Sequence, residues 1–320
     1  MLYLTEQQVI DNLSMPTAIA LVEQAFRQLA DGSAVNHPRR RLILPTGSIL
    51  HYMAGGNPDY FGIKVYSSNP KTGAHFQFLL YRSPDGMPLA TFEANRLGQI
   101  RTGAASAVGT KYLAREDADV LGIIGSGFQA ETQIASISQV RTVREVRVWS
   151  RNAERRAQFA QRCAEKFGLN VRATETAREA VEGAGIVVTA TSSKEPVLES
   201  AWISPGTHIN AMGSNWTSRR ELPTELVLDK ADVVTVDSIE DGQQESGDLV
   251  IPMKERNKTE FPAEEFCDIA AGKKPGRTSP DQITIFKSNG LAIQDVAVAG
   301  YLYETLIPAP APAAQHPATR

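Results

Sequence analysis

Apolar residues recur every three or four positions along the first thirty residues. Thr5 precedes EQQVIDNL, and Ser14-Met15-Pro16 interrupts the run, which predicts a short helix with a hydroxyl cap. Pro16 then opens PTAIALVEQAFRQLADG, where Ala18, Leu21, Val22, Ala25, Phe26 and Leu29 share one helical face and Gly32 is the stop signal. Between residues 38 and 92 the period changes. RRLILP, SILHYMA, FGIKVYSS, FQFLLYR and PLATFEA are short, β-prone and separated by turn residues such as Pro45-Thr46-Gly47 and Asp85-Gly86. That pattern predicts an antiparallel sheet. A small-residue helix follows over 97–114, LGQIRTGAASAVGTKYLA, on which another backbone can approach closely.

From residue 120 strand and helix alternate. VLGIIGSG, VREVRVWS, LNVRATE, AGIVVTAT, THINAMGS and ADVVTVDS are the strands, with helices expected to about 138, 167 and 182 and near 221–228. This is the βαβ signature of a parallel, doubly wound sheet. Residues 239–280 read as an irregular polar region with short helices. ITIFKS is a last strand, and GLAIQDVAVAGYLYETLI an amphipathic helix. The Pro/Ala-rich tail, 313–320 at its end, is expected to be disordered. The fold class is α/β: a Rossmann doubly wound parallel sheet plus a second, α+β domain.

Composition narrows the function. The chain has 320 residues, 42% hydrophobic and 22% charged, with 33 Lys+Arg against 36 Asp+Glu. No basic excess points to nucleic acid, and no apolar run reaches the roughly 18 residues of a membrane span. The N-terminus turns polar by residue 5 and lacks a signal-peptide pattern. Cys163 and Cys267 fit neither a metal spacing nor a disulfide framework, so reduced thiols in a cytoplasmic protein are expected. His75, His208 and His316 have no metal or triad spacing, and Ser106 and Ser246 no nucleophile-elbow context. No metal site is expected.

The informative motif is Gly125-Ser126-Gly127-Phe128-Gln129-Ala130, a GxGxxA turn with a strand before it and a helix after it. Gly125 permits the tight turn, Gly127 lets a pyrophosphate approach the helix N-terminus, and Ala130 allows close helix–strand packing. The second strand ends at Ser150, where an NAD site usually carries Asp or Glu for the ribose 2′-hydroxyl. Here Ser150-Arg151-Asn152 stand instead, with Arg155 and Arg156 behind them. Guanidinium groups suit a 2′-phosphate, so NADP(H) is expected ahead of NAD(H).

The chain resembles the ornithine cyclodeaminase/mu-crystallin family over nearly its whole length. The matching segments are Gly62-Ile63-Lys64, Arg101-Thr102-Gly103-Ala104-Ala105, the GSGFQA turn, Trp149–Asn152, Thr189-Ala190-Thr191, His208–Gly213, Arg220-Glu221-Leu222, and Lys287–Gly290 with Asp295. The resemblance implies a substrate-binding and dimerisation domain from residues 1–113 with 291–312, and a Rossmann domain over 114–290. It also implies a homodimer formed through the N-terminal sheets. It places Lys64, Arg101 and an arginine from Arg39-Arg40-Arg41 at a substrate carboxylate. Matching the Pro-x-Arg pattern selects Arg40; a one-residue slip selects Arg41 on the other strand face. Lys64 is the candidate for assisting proton movement. Thr102, Phe128, Gln129, Ala190, Thr191, Met212, Gly213, Ser288 and Asn289 fall to the cofactor. Asp295 either hydrogen-bonds near the site or caps a polar face.

Two departures bear on the subclass. Asn215 stands where the cyclodeaminases carry an acid/base Asp, and His51 where they carry a Glu that holds the distal amine. An amide cannot take up a proton at neutral pH. The reading is therefore an NAD(P)H-dependent reductase of a cyclic imino acid of the pyrroline-2-carboxylate or piperideine-2-carboxylate type. The alternatives are an alanine-dehydrogenase-like enzyme, an NAD-assisted ornithine cyclodeaminase, and a non-catalytic NADPH-binding protein.

Overall fold

The computed structural model describes residues 1–307. The tail at 313–320, His316 and residues 308–312 lie outside the described residues. Strands β1 (Leu2–Leu4), β2 (Val35–Ile43), β3 (Ile49–Gly56), β4 (Tyr60–Asn69), β5 (Gly73–Arg82) and β6 (Pro88–Glu93) form a six-stranded sheet in the order β1-β6-β5-β4-β3-β2. β2 to β6 are the antiparallel meander that the alternation predicts. β1 was not expected. It adds to the edge parallel to β6, with Leu4 opposite Phe92, and three residues are too few to show a period.

Helices α1 (Glu6–Asn12), α2 (Met15–Asp31) and α3 (Asn95–Leu113) begin as local chemistry dictates. Thr5 and Gln8 make a reciprocal capping box, and Ser14 caps α2. Ala94 cannot cap α3, so Glu6 does it from α1, accepting from the N–H groups of Asn95 at 2.7 Å and Arg96 at 2.6 Å.

The second sheet is wholly parallel: β7 (Val120–Ile124), β8 (Glu145–Trp149), β9 (Val171–Ala173), β10 (Ile186–Thr189), β11 (His208–Ala211), β12 (Val233–Val236), β13 (Glu264–Glu265) and β14 (Thr284–Lys287), in the order β13-β12-β14-β11-β10-β7-β8-β9. Its first helices are α4 (Phe128–Ile137), α5 (Ala153–Phe167) and α6 (Ala177–Val181). The helix expected near 221–228 is a single π-type turn at Leu226–Lys230. Residues 239–280 are more ordered than their polarity suggests. They build α7 (Ile239–Glu245), α8 (Gly247–Glu255) and α9 (Phe266–Ala270). Pro252 lies inside α8, which hid the helical period. α9 packs on α2, with Phe266 edge-on to Phe26 at 4.9 Å.

The last helix, α10 (Ala292–Leu306), is buried along most of its length rather than on one stripe. It lies against the inner face of the first sheet and against α2 and α3, which leaves only its last turn, at Glu304 and Thr305, exposed. On the outer face of that sheet Leu42, Leu50, Tyr52 and Phe61 remain exposed.

α3 joins the two sheets. It contacts α2 and β5 on one side and α4, β11 and β14 on the other. Its small residues permit this. A Cβ on Gly103 would lie 2.7 Å from the Thr132 carbonyl oxygen, and one on Gly109 2.5 Å from the Phe286 ring. Gly103→Val is therefore expected to destabilise the protein by about 1–3 kcal/mol, the usual range for overpacking, read as a lower midpoint in urea unfolding.

Candidate active site

β7 is buried at every position and runs into the glycine turn. Gly125 has φ +121°, and a Cβ there would sit 2.5 Å from the Ala190 carbonyl oxygen. Both facts demand glycine. Gly127 is the N-cap of α4 and offers no side-chain cap, and nothing lies within 4 Å of its Cβ position. The first N–H groups of α4 thus face open space, with the helix dipole behind them. That space is a cavity of about 800 Å³ lined by Gly125, Gly127, Phe128, Gln129, Ser150, Arg151, Ala190, Thr191, Met212 and Gly213. It sits where the chain reverses direction across the sheet, between β7 and β10, the place where doubly wound sheets bind ligands. A dinucleotide fits this cradle: bare N–H donors for its phosphates, and close backbone approach at two glycines.

Two residues expected at the cofactor are elsewhere. The Asn152 side chain caps α5, accepting from the Arg155 N–H at 2.8 Å. Both side chains are exposed, and neither lines the cavity. Helix capping explains Asn152, and the first turn of α5 carries Arg155 out toward solvent.

Buried carboxylates hold the tips of β10 and β11. Glu221 accepts from the N–H groups of Thr191 (2.6 Å) and Gly213 (2.8 Å) and from the Thr189 hydroxyl (3.0 Å). Asp248 accepts from the N–H groups of Glu221 and Leu222. Lys287, fully buried, lies 3.1 Å from Asp248 and donates to the Ser214 carbonyl at 2.5 Å. Burial and the nearby Asp248 carboxylate push the Glu221 carboxyl upward from its ordinary value, against Lys287. Glu221 and Lys287 were visible only as parts of matching motifs. Nothing local in the sequence signals that a carboxylate will tie two strand ends together.

A second cavity of about 1010 Å³ shares Phe128, Gln129, Ser192, Met212 and Gly213 with the first. Lys64, Arg101, Thr102, Ser288 and Asn289 line it, as does Arg39. Arg40 does not. Arg40 pairs opposite Tyr52 and Arg41 opposite His51, with a register shift between His37 and Arg40. Tyr52 is on the exposed outer face and His51 is buried on the inner one. Arg40 is exposed with Tyr52, whereas Arg39 and Arg41 turn inward. Three consecutive arginines hide this choice, because only the pairing register sets the face.

Each inward cation has an anchored partner. Arg39 is hydrogen-bonded to the Glu245 carboxylate and donates to the Asn289 carbonyl at 3.0 Å. Arg41 reaches the Asn215 carbonyl at 2.8 Å and stacks 4.3 Å above Trp216. Lys64 donates to Asp295 at 2.8 Å, and Arg101 approaches the same oxygen at 3.4 Å. Asp295 therefore serves the site and caps no surface. Burial lowers the Lys64 ammonium to about 8, with Asp295 opposing the shift and Arg101 adding to it. A Cβ on Gly98 would lie 2.6 Å from the Lys64 nitrogen, and one on Gly290 2.7 Å from the Arg101 guanidinium, so both glycines make room for the cations.

The loop after β14 is set by Asp237, which accepts from the Ser288 hydroxyl and the N–H groups of Asn289 and Gly290 at 2.7–2.8 Å. The Asn289 side-chain amide is buried at the cavity with no protein partner. The Thr102 hydroxyl donates to the Gly98 carbonyl. His51 stacks on Tyr66 at 4.2 Å and meets Ser68 at 2.9 Å. Burial, Arg41 and Arg39 lower its ring to about 4, so it is neutral at pH 7. Among the lining residues, which include His51 and Asn215, there is no Asp or Glu.

The fold and the two joined cavities define a Rossmann-type dinucleotide-binding protein with a cation-lined second chamber. The family model of the ornithine cyclodeaminase/mu-crystallin family matches residues 1–308, and the chain belongs to that family. It is similar to the Thermococcus litoralis Δ1-pyrroline-2-carboxylate reductase solved with NADH and L-proline: 38% identical, TM-score 0.90, covering 95% of this chain and 97% of that one. Alanine dehydrogenase of Archaeoglobus fulgidus is 35% identical over 96% of this chain and 95% of its own. A Δ1-pyrroline-2-carboxylate reductase of Bacillus cereus is 44% identical over 68% of this chain and 67% of its own.

The strand-tip network yields a stability test. Lys287→Met leaves the buried Glu221 and Asp248 carboxylates without their cation, and is expected to cost about 3–5 kcal/mol, as for other broken buried ion pairs. Adding Asp248→Asn, which retains an acceptor, is expected to recover part of that loss in urea denaturation.

Proposed function

We propose that this chain reduces a cyclic imino acid, of the pyrroline-2-carboxylate or piperideine-2-carboxylate type, to the amino acid. The observation that carries this reading is the convergence of Arg39, Lys64 and Arg101 on an acid-free cavity that opens into the dinucleotide cradle. Cations grouped in this way suit a carboxylate, which guanidinium groups bind with two parallel hydrogen bonds. The rest of the wall offers aromatic faces to a small ring. Tyr66 stacks on Phe76 at 4.7 Å and on His51. A diamino acid such as ornithine would bring a second ammonium into a chamber that has no carboxylate to receive it, and an unpaired buried charge is costly.

When bound, the reduced nicotinamide supplies a hydride to the carbon of the imine. The chain's own residues do the rest. Arg39, Lys64 and Arg101 hold the carboxylate and so fix the ring. The unpaired Asn289 amide is the group for the nicotinamide carboxamide. A protonated imine is already electrophilic, so its reduction needs no strong acid from the protein, and the amide at Asn215 is no obstacle. Lys64 carries its charge below about pH 8 and loses it above, so carboxylate binding weakens as pH rises through that value.

Arg151 lines the cradle where the second strand ends, which favours NADP(H). The neighbours solved with NADH or NAD favour the other choice, and the two are separated below. The exposed apolar outer face of the first sheet, Leu42, Leu50, Tyr52 and Phe61, is a contiguous patch of the kind that marks an association surface. We assign it to a homodimer.

The test is loss of nicotinamide absorbance with pyrroline-2-carboxylate, piperideine-2-carboxylate, or pyruvate with ammonia. Turnover of a cyclic imine is expected. Turnover with pyruvate and ammonia alone would make the protein an alanine dehydrogenase, and ammonia release from ornithine would overturn the reading. Lys64→Ala is expected to lower kcat/KM at least a hundredfold, about 3 kcal/mol for a lost buried charge contact. Arg151→Ala is expected to raise KM for NADPH about tenfold, the effect of one charge-assisted hydrogen bond, and to leave KM for NADH unchanged. Equal effects on both cofactors would assign Arg151 no part in selection.

A further inference from the structure

Arg39, Lys64 and Arg101, with Arg219 as a fourth lining cation, put like charges around one chamber, and none of its lining residues is acidic. Their compensation comes from behind the wall. Asp295 lies on α10, fully buried and outside the cavity lining. One of its oxygens takes both the Lys64 ammonium at 2.8 Å and the Arg101 Nε at 3.4 Å. The other oxygen has no partner. Arg39 has Glu245, and Arg101 has a further acceptor in Gln294 at 3.1 Å. For Lys64 the only hydrogen-bond acceptor among the described residues is Asp295.

We infer that Asp295 is a positioning residue that keeps Lys64 charged and in place before the substrate carboxylate arrives. The inference rests on the carboxylate-binding role given to Lys64 above. The groups that face the ammonium come from four elements. Asp295 of α10 attracts it, Arg101 of α3 and Arg39 of β2 repel it, and the Phe76 ring of β5 lies 5.7 Å away. Gly98 of α3 closes the remaining side, with its Cβ position 2.6 Å from the nitrogen. Without the Asp295 charge, Lys64 keeps the desolvation and both repulsions and loses its attraction. It then gives up its proton at lower pH, and the chamber loses one of its cations at neutral pH.

The experiment is calorimetric titration of the NADP⁺-saturated protein with pyrrole-2-carboxylate, a planar carboxylate that cannot be reduced by hydride, between pH 5.5 and 9.5. In the wild type, affinity is expected to be flat at low pH and to fall above about pH 8. In Asp295→Asn the break is expected to move down by at least one pH unit, while affinity at pH 5.5 stays within threefold. Asp295→Glu is expected to return the break toward the wild-type position. An Asp295→Asn variant that weakens binding equally at all pH values, or whose break does not move, would overturn the inference. Lys64→Arg covers the case in which Asp295→Asn does not fold. Arginine does not deprotonate in this range, so the break is expected to vanish, and its persistence would also overturn the inference. Imine turnover is followed in parallel. A shifted break without turnover of any imine refutes the reductase reading alone, and turnover with an unshifted break refutes this inference alone.

Discussion

Charge buried without a partner is the constraint on which the rest of this structure depends. Arg39, Lys64, Arg101 and Lys287 are all buried, and each would be prohibitive alone. The fold answers with carboxylates from distant parts of the chain: Glu245 for Arg39, Asp295 for Lys64 and Arg101, and Asp248 for Lys287. These pairs join residues far apart in sequence, so the chamber exists only once both sheets and α10 are assembled. The same pairs hold the side chains still, which is what a site needs to orient a small substrate.

Close backbone packing makes that assembly possible. α3 passes between the two sheets because Gly103 and Gly109 admit Thr132 and Phe286 against the helix. Gly98 on the same helix leaves room for the Lys64 ammonium. One helix thus couples the packing of the cofactor half to the geometry of the cation cluster, and its small residues serve both.

Much of this was legible in the sequence. Period-two alternation marks the first sheet, and the β/α rhythm with GSGFQA marks the second. The glycine turn could be named from its own local pattern, and Lys64 and Arg101 through the family resemblance. What stayed hidden depends on pairing. Arg40 looked suitable, but the opposition of Arg40 to Tyr52 and Arg41 to His51 turns Arg39 inward, and a run of three arginines cannot reveal register. Asp295, Glu245 and Glu221 act across long sequence separations, and no periodicity announces them. α8 and α9 are short and include or follow residues that break a period. The last helix reads as amphipathic, with Asp295 open between a site and a polar face, whereas Gln294 and Asp295 are both buried.

The uncapped start of α4 carries a consequence for the molecule as a whole. Among the described residues half of the α-helices begin with a capping side chain of their own, at Thr5, Ser14, Asn152, Thr176 and Ser238. At Gly127 that duty falls to whatever anion occupies the cradle. A ligand that binds only the folded chain adds to its stability with concentration, about 2.7 kcal/mol at a hundred times its dissociation constant. The lifetime of this protein against unfolding is therefore tied to the supply of its own cofactor, and a cell short of dinucleotide would hold a less durable enzyme.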